Sequence, residues 1–197
     1  GCLKASIKAG KVVTLDKIST IADGTAVKTP GEKIFPYLCQ NLDDIVTVAD
    51  EELVVAFLDM VENHKIVVEN SGLLTAAALK HMDFRNKKVV AILSGGNMDV
   101  ITMSSVVQQG LILRDRIFTL SVQLPDKPGE LRRVADVIAK QNGNVIKLEH
   151  NQFVSINRNA AVELRITLEA FGTEHKKQIM QALEQNGYNP KLVRTNI

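Results

Sequence analysis

The chain has 197 residues, 24 basic against 22 acidic side chains, a formal charge of +2 and 45% hydrophobic residues. These values fit one or two globular domains and exclude a disordered or fibrous class; near-balanced charge with 4% aromatics excludes a nucleic-acid-binding footprint. No apolar run approaches the ~20 residues that cross a bilayer, and the start GCLKASIKAGK has no signal-peptide apolar core, so a cytoplasmic location without a membrane partner is expected.

In chain order, Ser19-Thr20-Ile21-Ala22-Asp23-Gly24-Thr25 reads as a loop, with Asp23 better suited to an Asx turn than to acid-base work. Pro30-Gly31 closes the loop, and a helix is predicted from about Glu32 to Asn41. Cys2 and Cys39 have no CxxC or zinc spacing, so two reduced thiols and no metal site are expected. Ile45-Val46-Thr47-Val48 reads as a strand. Asp50 is placed to cap a helix through about His64, with Glu51 and Glu52 in its first turn and Leu53, Val54, Phe57, Leu58 and Val61 as its apolar stripe.

A short Ile66-Val67-Val68 strand or helix end leads to Glu69-Asn70-Ser71-Gly72 and an Ala-rich helix from Leu73 to His81. The run Lys88 to Leu93 then reads as a strand buried on both faces of a parallel α/β sheet, spilling into Ser94-Gly95-Gly96-Asn97. Ligands in such sheets bind beyond the carboxyl ends of the strands, which puts Ser94 and Asn97 where chemistry is expected. A plain connecting turn is the alternative. Met98 and Met103 read as gap-fillers.

Residues 100 to 116 read as a partly helical connector, and from 117 the pattern becomes β-α-β-β-α-β. Its parts are a strand Phe118 to Leu124, a turn Pro125 to Gly129, and a helix Glu130 to Gln141 with Leu131, Val134, Val137 and Ile138 inward. Strands Val145 to Glu149 and Ala161 to Leu168 follow, then a helix capped by Thr173 with Ile179 and Leu183 on one face, and a strand Tyr188 to Thr195. This is the ferredoxin-like split βαβ plan, which leaves sheet edges open for pairing. An electron-transfer or RNA-binding version is disfavoured, since there is no cysteine cluster and no aromatic stretch on the sheet. His64, His81, His150 and His175 lack carboxylate or cysteine partners at ligand spacing and read as surface or helix-end residues, while Lys87-Lys88, Arg132-Arg133 and Lys176-Lys177 read as solvated flanks.

Residues 121 to 150, SVQLPDKPGELRRVADVIAKQNGNVIKLEH, resemble an ACT domain, the small amino-acid-sensing module. In PDKPGEL, Gly129 permits close backbone approach at a helix start whose free amides can hold a carboxylate. TIADGTAVKTPG at 20 to 31, DDIVTV at 43 to 48, VVENSG at 67 to 72 and LSGGNMD at 93 to 99 resemble, in order and spacing, the C-terminal part of the catalytic domain of threonine dehydratases (threonine ammonia-lyases) of the fold-type II pyridoxal-phosphate family. The resemblance implies an α/β segment from 1 to about 110, a linker to about 116 and an ACT domain from 117 to 197.

By that resemblance Ser94 would hydrogen-bond the pyridine nitrogen of pyridoxal 5'-phosphate, Gly24 would line its pocket, Glu69 would lie near its ring and Asn97 would border the rim. A neutral hydroxyl does not force ring protonation, and the weaker electron sink is compatible with β-elimination from threonine or serine. For Glu69 a solvated or helix-capping carboxylate is the alternative. The family's Schiff-base lysine segment and tetraglycine phosphate cradle have no counterpart here, so the chain is expected to represent the C-terminal half of a longer enzyme, inactive and without cofactor by itself, with the N-terminal catalytic half as partner. The resemblance also implies a homo-oligomer built through ACT domains. Isoleucine, valine or threonine would be held between subunits by Asp126, Lys127, Pro128, Gly129, Leu131, Asn144 and Val145. The alternative is a non-catalytic regulatory protein that binds an amino acid through its ACT domain.

Overall fold

A computed structural model describes residues 1–151 and 162–196. The chain divides into two compact units, Gly1–Val107 and Gln108–Ile197. As a whole it is α/β, but every described strand lies in the second unit.

The first unit contains helices α1 (Cys2–Ala9), α2 (Phe35–Asn41), α3 (Asp50–Asp59) and α4 (Leu74–Ala78), and α5 (Val100–Leu113) begins in it. The α3 stripe forms as its spacing requires: Leu53, Val54, Phe57 and Leu58 are buried against Ala22, Leu73 and Ala77, while Val61, Met98 and Met103 are partly buried at the margin. Asp50 does not cap α3. It lies in the first turn after the cap Ala49. Its carboxylate instead accepts hydrogen bonds from Thr20 Oγ1 at 2.6 Å and the Ile21 amide at 3.2 Å, lashing the 20–25 loop to the helix. Glu52 takes the capping task from inside, accepting from the Ala49 amide at 2.8 Å and pairing with His81 Nε2 at 2.8 Å. The backbone bond and the His81 contact together hold its carboxyl below the ordinary range, and His81 has the carboxylate partner its sequence neighbours did not suggest.

The expected helix to His64 ends at Asp59 and unwinds through a π-turn, Met60–His64, which Lys65 closes in the left-handed region at φ 60°. The Leu73–His81 helix is only a single α-turn flanked by 3-10 turns Asn70–Leu73 and Leu79–His81. The expected strands 45–48 and 88–93 are not formed among the described residues, and 66–68, expected as a strand or helix end, also joins no ladder. A strand buried on both faces needs neighbours for its amides, and this unit supplies none. The apolar pattern remains, with Val90 88% exposed and Ile92 71%.

The second unit follows the split βαβ order: β1 (Ile117–Leu124), α6 (Glu130–Lys140), β2 (Asn144–Asn151), β3 (Val162–Glu169), α7 (Thr173–Gln185) and β4 (Lys191–Val193). The sheet order is β2-β3-β1-β4, with every pairing antiparallel. Alternation along β1 and β3 sends Leu120, Val122, Leu164, Ile166 and Leu168 into one core with Val134, Ile138, Ile179 and Leu183 of the two helices. Leu131, expected in that stripe, is exposed in the first turn of α6. The last strand, Lys191–Val193, is shorter at both ends than the predicted Tyr188 to Thr195. The predicted start of β3 at Ala161 lies outside the described residues.

Gly172, not Thr173, caps α7. Thr173 Oγ1 donates instead to Asp115 Oδ2 at 2.7 Å, and Lys176 Nζ reaches Asp115 Oδ1 at 2.7 Å while lying over the Phe118 ring. Lys176 is thus no solvated flank. Burial tends to raise the Asp115 carboxyl, but the bonds from Lys176 and Thr173 outweigh it and leave it below the ordinary range. Asp115 has φ 54°, which Asn tolerates equally, so Asp115→Asn isolates the charge. A depressed carboxyl stabilises the fold above its unfolded pKa and loses that contribution as pH falls through the folded value. We expect Asp115→Asn to cost about 1–2 kcal/mol at pH 7 and the gap to close at an acidic pH below the folded-state value. Urea denaturation at the two pH values checks it; a pH-independent gap refutes the ion pair.

Among the described residues no helix is long and apolar enough to cross a membrane, and no group of three or more His, Cys, Asp and Glu could hold a metal. Cys2 is buried and Cys39 exposed, both free.

Candidate functional site

Three sequence segments meet in the first unit, and glycines are what let them meet. An added Cβ on Gly72 would fall 1.6 Å from the Ser94 carbonyl oxygen, and one on Gly95 would fall 2.3 Å from the Glu69 carboxyl carbon. Gly95 also has φ +75°, a conformation L side chains rarely adopt. The Glu69 amide donates to the Gly95 carbonyl at 3.2 Å, and Thr75 Oγ1 donates to the Ile92 carbonyl at 2.6 Å, tying the Ser94 turn to the 69–75 segment. Gly24 closes the cluster, since a Cβ there would meet Ser71 Oγ at 3.0 Å and lie 3.9 Å from Glu69 Oε1.

Gly24, Glu69 and the Ser94-Gly95 turn are thus brought together, while Asn97 sits exposed at the end of the turn. Glu69 is the cap residue of the 70–73 turn, but its side chain makes no capping bond. Its carboxylate lies instead on the Gly95 backbone, so the capping alternative fails. The Gly24 loop is fixed by Asp50 and by Asn70, whose Nδ2 donates to the Ile21 carbonyl at 3.1 Å.

Asn70 and Ser71 are the residues that loop assignment passed over. Asn70 Oδ1 and Ser71 Oγ are buried with no hydrogen-bond partner in the described structure. A buried polar atom without a partner costs free energy, and such orphans mark places built for another group. The signal was present in VVENSG, a run of short polar residues between two apolar stretches.

Residues 1–95 match the family model of the pyridoxal-phosphate dependent enzymes. The match takes in 95 of the chain's 197 residues. Over 93% of its length the chain is 37% identical to an L-threonine ammonia-lyase of Geobacter sulfurreducens, covering 46% of that protein. It is 30% identical over 96% of its length to an L-threonine ammonia-lyase of Thermotoga maritima, covering 47% of it. The processed form of threonine deaminase isoform 2 from Solanum lycopersicum superimposes with a TM-score of 0.51 at 30% identity, over 55% of this chain and 33% of that one. The chain therefore spans about half the length of the curated relatives it matches. Pyridoxal phosphate is the cofactor of the family, and two unpartnered buried polar atoms, Asn70 Oδ1 and Ser71 Oγ, with a neutral hydroxyl at Ser94, fit part of it.

The second set of predicted ligand residues lies in the second unit. Gly129 caps α6 at φ 93° with no side-chain capping bond, so the helix starts with uncapped amides beside Asp126, Lys127 and Pro128. Asn144 and Val145 begin β2, beyond the other end of that 11-residue helix. At 1.5 Å per residue the two groups are roughly 16 Å apart along one chain. Asn144 Nδ2 donates to Glu169 Oε2 at 3.2 Å, and Leu131 and Val145 are exposed. One protomer does not bring these residues together.

Proposed function

We infer that this chain is the C-terminal and regulatory portion of a pyridoxal-phosphate-dependent threonine (serine) dehydratase, which converts threonine to 2-oxobutanoate and ammonia. The observation that carries this reading is the convergence of Gly24, Glu69 and the Ser94-Gly95 turn in a segment that matches the family model of the pyridoxal-phosphate dependent enzymes. When bound, the cofactor supplies the electron sink for loss of the α-proton and the β-hydroxyl. Ser94 would hold the ring nitrogen, and its neutral hydroxyl does not force a proton onto its partner as a carboxylate does. Gly24, Gly72 and Gly95 let the three segments pack closely, since a Cβ there would meet Ser71, the Ser94 carbonyl or the Glu69 carboxylate. Asp50 and Asn70 hold the Gly24 loop in place.

The exposed run 88–93 supports an N-terminal catalytic half as partner, because an apolar segment without neighbours acquires its ladder from strands elsewhere in the enzyme. Cofactor absorbance and ammonia release test the reading on the chain alone and on the chain mixed with the N-terminal half. The chain alone is expected to do neither, and the mixture both. Ser94→Ala in the mixture should weaken cofactor retention by about 0.5–1.5 kcal/mol, the worth of one neutral hydrogen bond. Ammonia release from threonine by the pure chain, or an inert mixture, overturns the assignment.

The βαββαβ unit is read as an ACT domain that pairs with a second copy and binds isoleucine, valine or threonine. The roughly 16 Å between Gly129 and Asn144 supports a site shared across two protomers. Edge strand β2 suits the pairing. A two-fold antiparallel register centred on Leu148 sets Lys147 of one protomer opposite Glu149 of its partner, with Leu148 against its own copy. Val145, Ile146 and Leu148 are exposed until then. Lys147→Glu should shift the chain to monomer in sedimentation analysis, and Lys147→Glu with Glu149→Lys should restore the dimer. Unchanged association in the single variant removes this edge as the interface.

A further inference from the structure

β4 ends at Val193, yet the chain stays fastened to β1. The Thr119 amide donates to Thr195 Oγ1 at 2.9 Å, next to the Thr119↔Val193 pair of the ladder. Arg194 is therefore clamped between two residues held by the same position of β1. Among the described residues its guanidinium has no hydrogen-bond or ion-pair partner. It lines a cleft of about 540 Å³ in the second unit, within the roughly 300–1,000 Å³ range of small-molecule sites. Ile112, Ile117 and Leu192 form an apolar wall, and Gln109 contributes a carboxamide.

The charges lining the cleft decide the ligand class. Lys176 is committed to Asp115 and lies over Phe118, which leaves Arg194 as the uncommitted cation of the cleft among the described residues. One free guanidinium matches one carboxylate, which its planar fork binds through two parallel hydrogen bonds. A dianion would find a single partner. The apolar wall then takes a short aliphatic body. We propose that this cleft binds a small aliphatic monocarboxylate through Arg194, at a site separate from the turn 126–129 and the start of β2. The ligand is either a free amino acid or a des-amino acid of the same carbon skeleton, since both present that carboxylate and body.

Calorimetric titration of the whole chain with 3-methylbutanoate, L-valine and the neutral 3-methylbutanamide tests it. At least one acid is expected to bind, the amide at least about tenfold more weakly, since it lacks the charge for the fork. Tighter binding of L-valine identifies the amino acid as the ligand form, and tighter binding of 3-methylbutanoate the des-amino acid. Arg194→Leu should lose about tenfold or more in affinity, and Arg194→Lys should fall between, because it keeps the charge but not the geometry. Arg194 is exposed, so circular dichroism should show the fold intact in both variants. Heat from L-valine that survives Arg194→Leu belongs to the site shared between protomers, so the cleft is scored only on the binding that Arg194→Leu removes. No heat from either acid, or equal affinity in wild type and Arg194→Leu, overturns the proposal.

Discussion

Gly72→Ala is expected to lose about 3 kcal/mol or more of stability in the first unit, because its new Cβ would fall 1.6 Å from the Ser94 carbonyl oxygen. The neighbour is backbone rather than the end of a flexible side chain, so relief requires the Ser94 turn to move as a whole. That movement would also pull Gly95 from the Glu69 carboxylate and strain the Glu69 amide bond to the Gly95 carbonyl. The matched control is Gly96→Ala, whose Cβ would meet only the Val67 carbonyl at an ordinary 3.8 Å and which should be near neutral. Thermal melting of both variants checks the contrast, and equal melting temperatures would show that the two segments are not in contact.

The same contact explains what was legible in the sequence. Glycines at 24, 72 and 95 and the polar run at 69–71 could be found as motifs, because close backbone approach leaves glycine as its trace. That Glu69 rests on Gly95 while Ser71 faces Gly24 could not be found, since it depends on how separate segments fold back on each other. Local rules failed wherever a distant partner outbid a neighbour. Asp50 bonds to Thr20 and Ile21 rather than to its own helix, and Thr173 bonds to Asp115 across 58 residues. The strand predicted at 88–93 failed for another reason: periodicity reports a segment's fitness for a sheet, whereas a ladder needs a second segment. In the second unit every predicted strand has a neighbour, and the β-α-β-β-α-β order appears as read. Only ends shifted, as in β4, which keeps Lys191–Val193 alone.

Leu164→Ala should be the most damaging conservative change in the second unit, costing about 2–5 kcal/mol. Leu164 is fully buried in β3, which is paired on both sides, with Val122 opposite it in β1 and His150 in β2. It belongs to the core that the sheet forms with α6 and α7. Truncation there leaves a cavity walled by side chains from several elements, and a close-packed interior collapses onto such a void only in part. Against a domain stability of roughly 5–15 kcal/mol, the loss is a large share of the total. Leu192→Ala is the comparison, since Leu192 is 52% exposed on edge strand β4 and its truncation should cost about 1 kcal/mol or less. Urea denaturation followed by circular dichroism should lower the midpoint for Leu164→Ala with little change in slope, because slope follows the surface exposed on unfolding. Similar midpoints for the two variants would mean that the core does not centre on β3. The packing order inferred from the sheet register would then have to be redrawn.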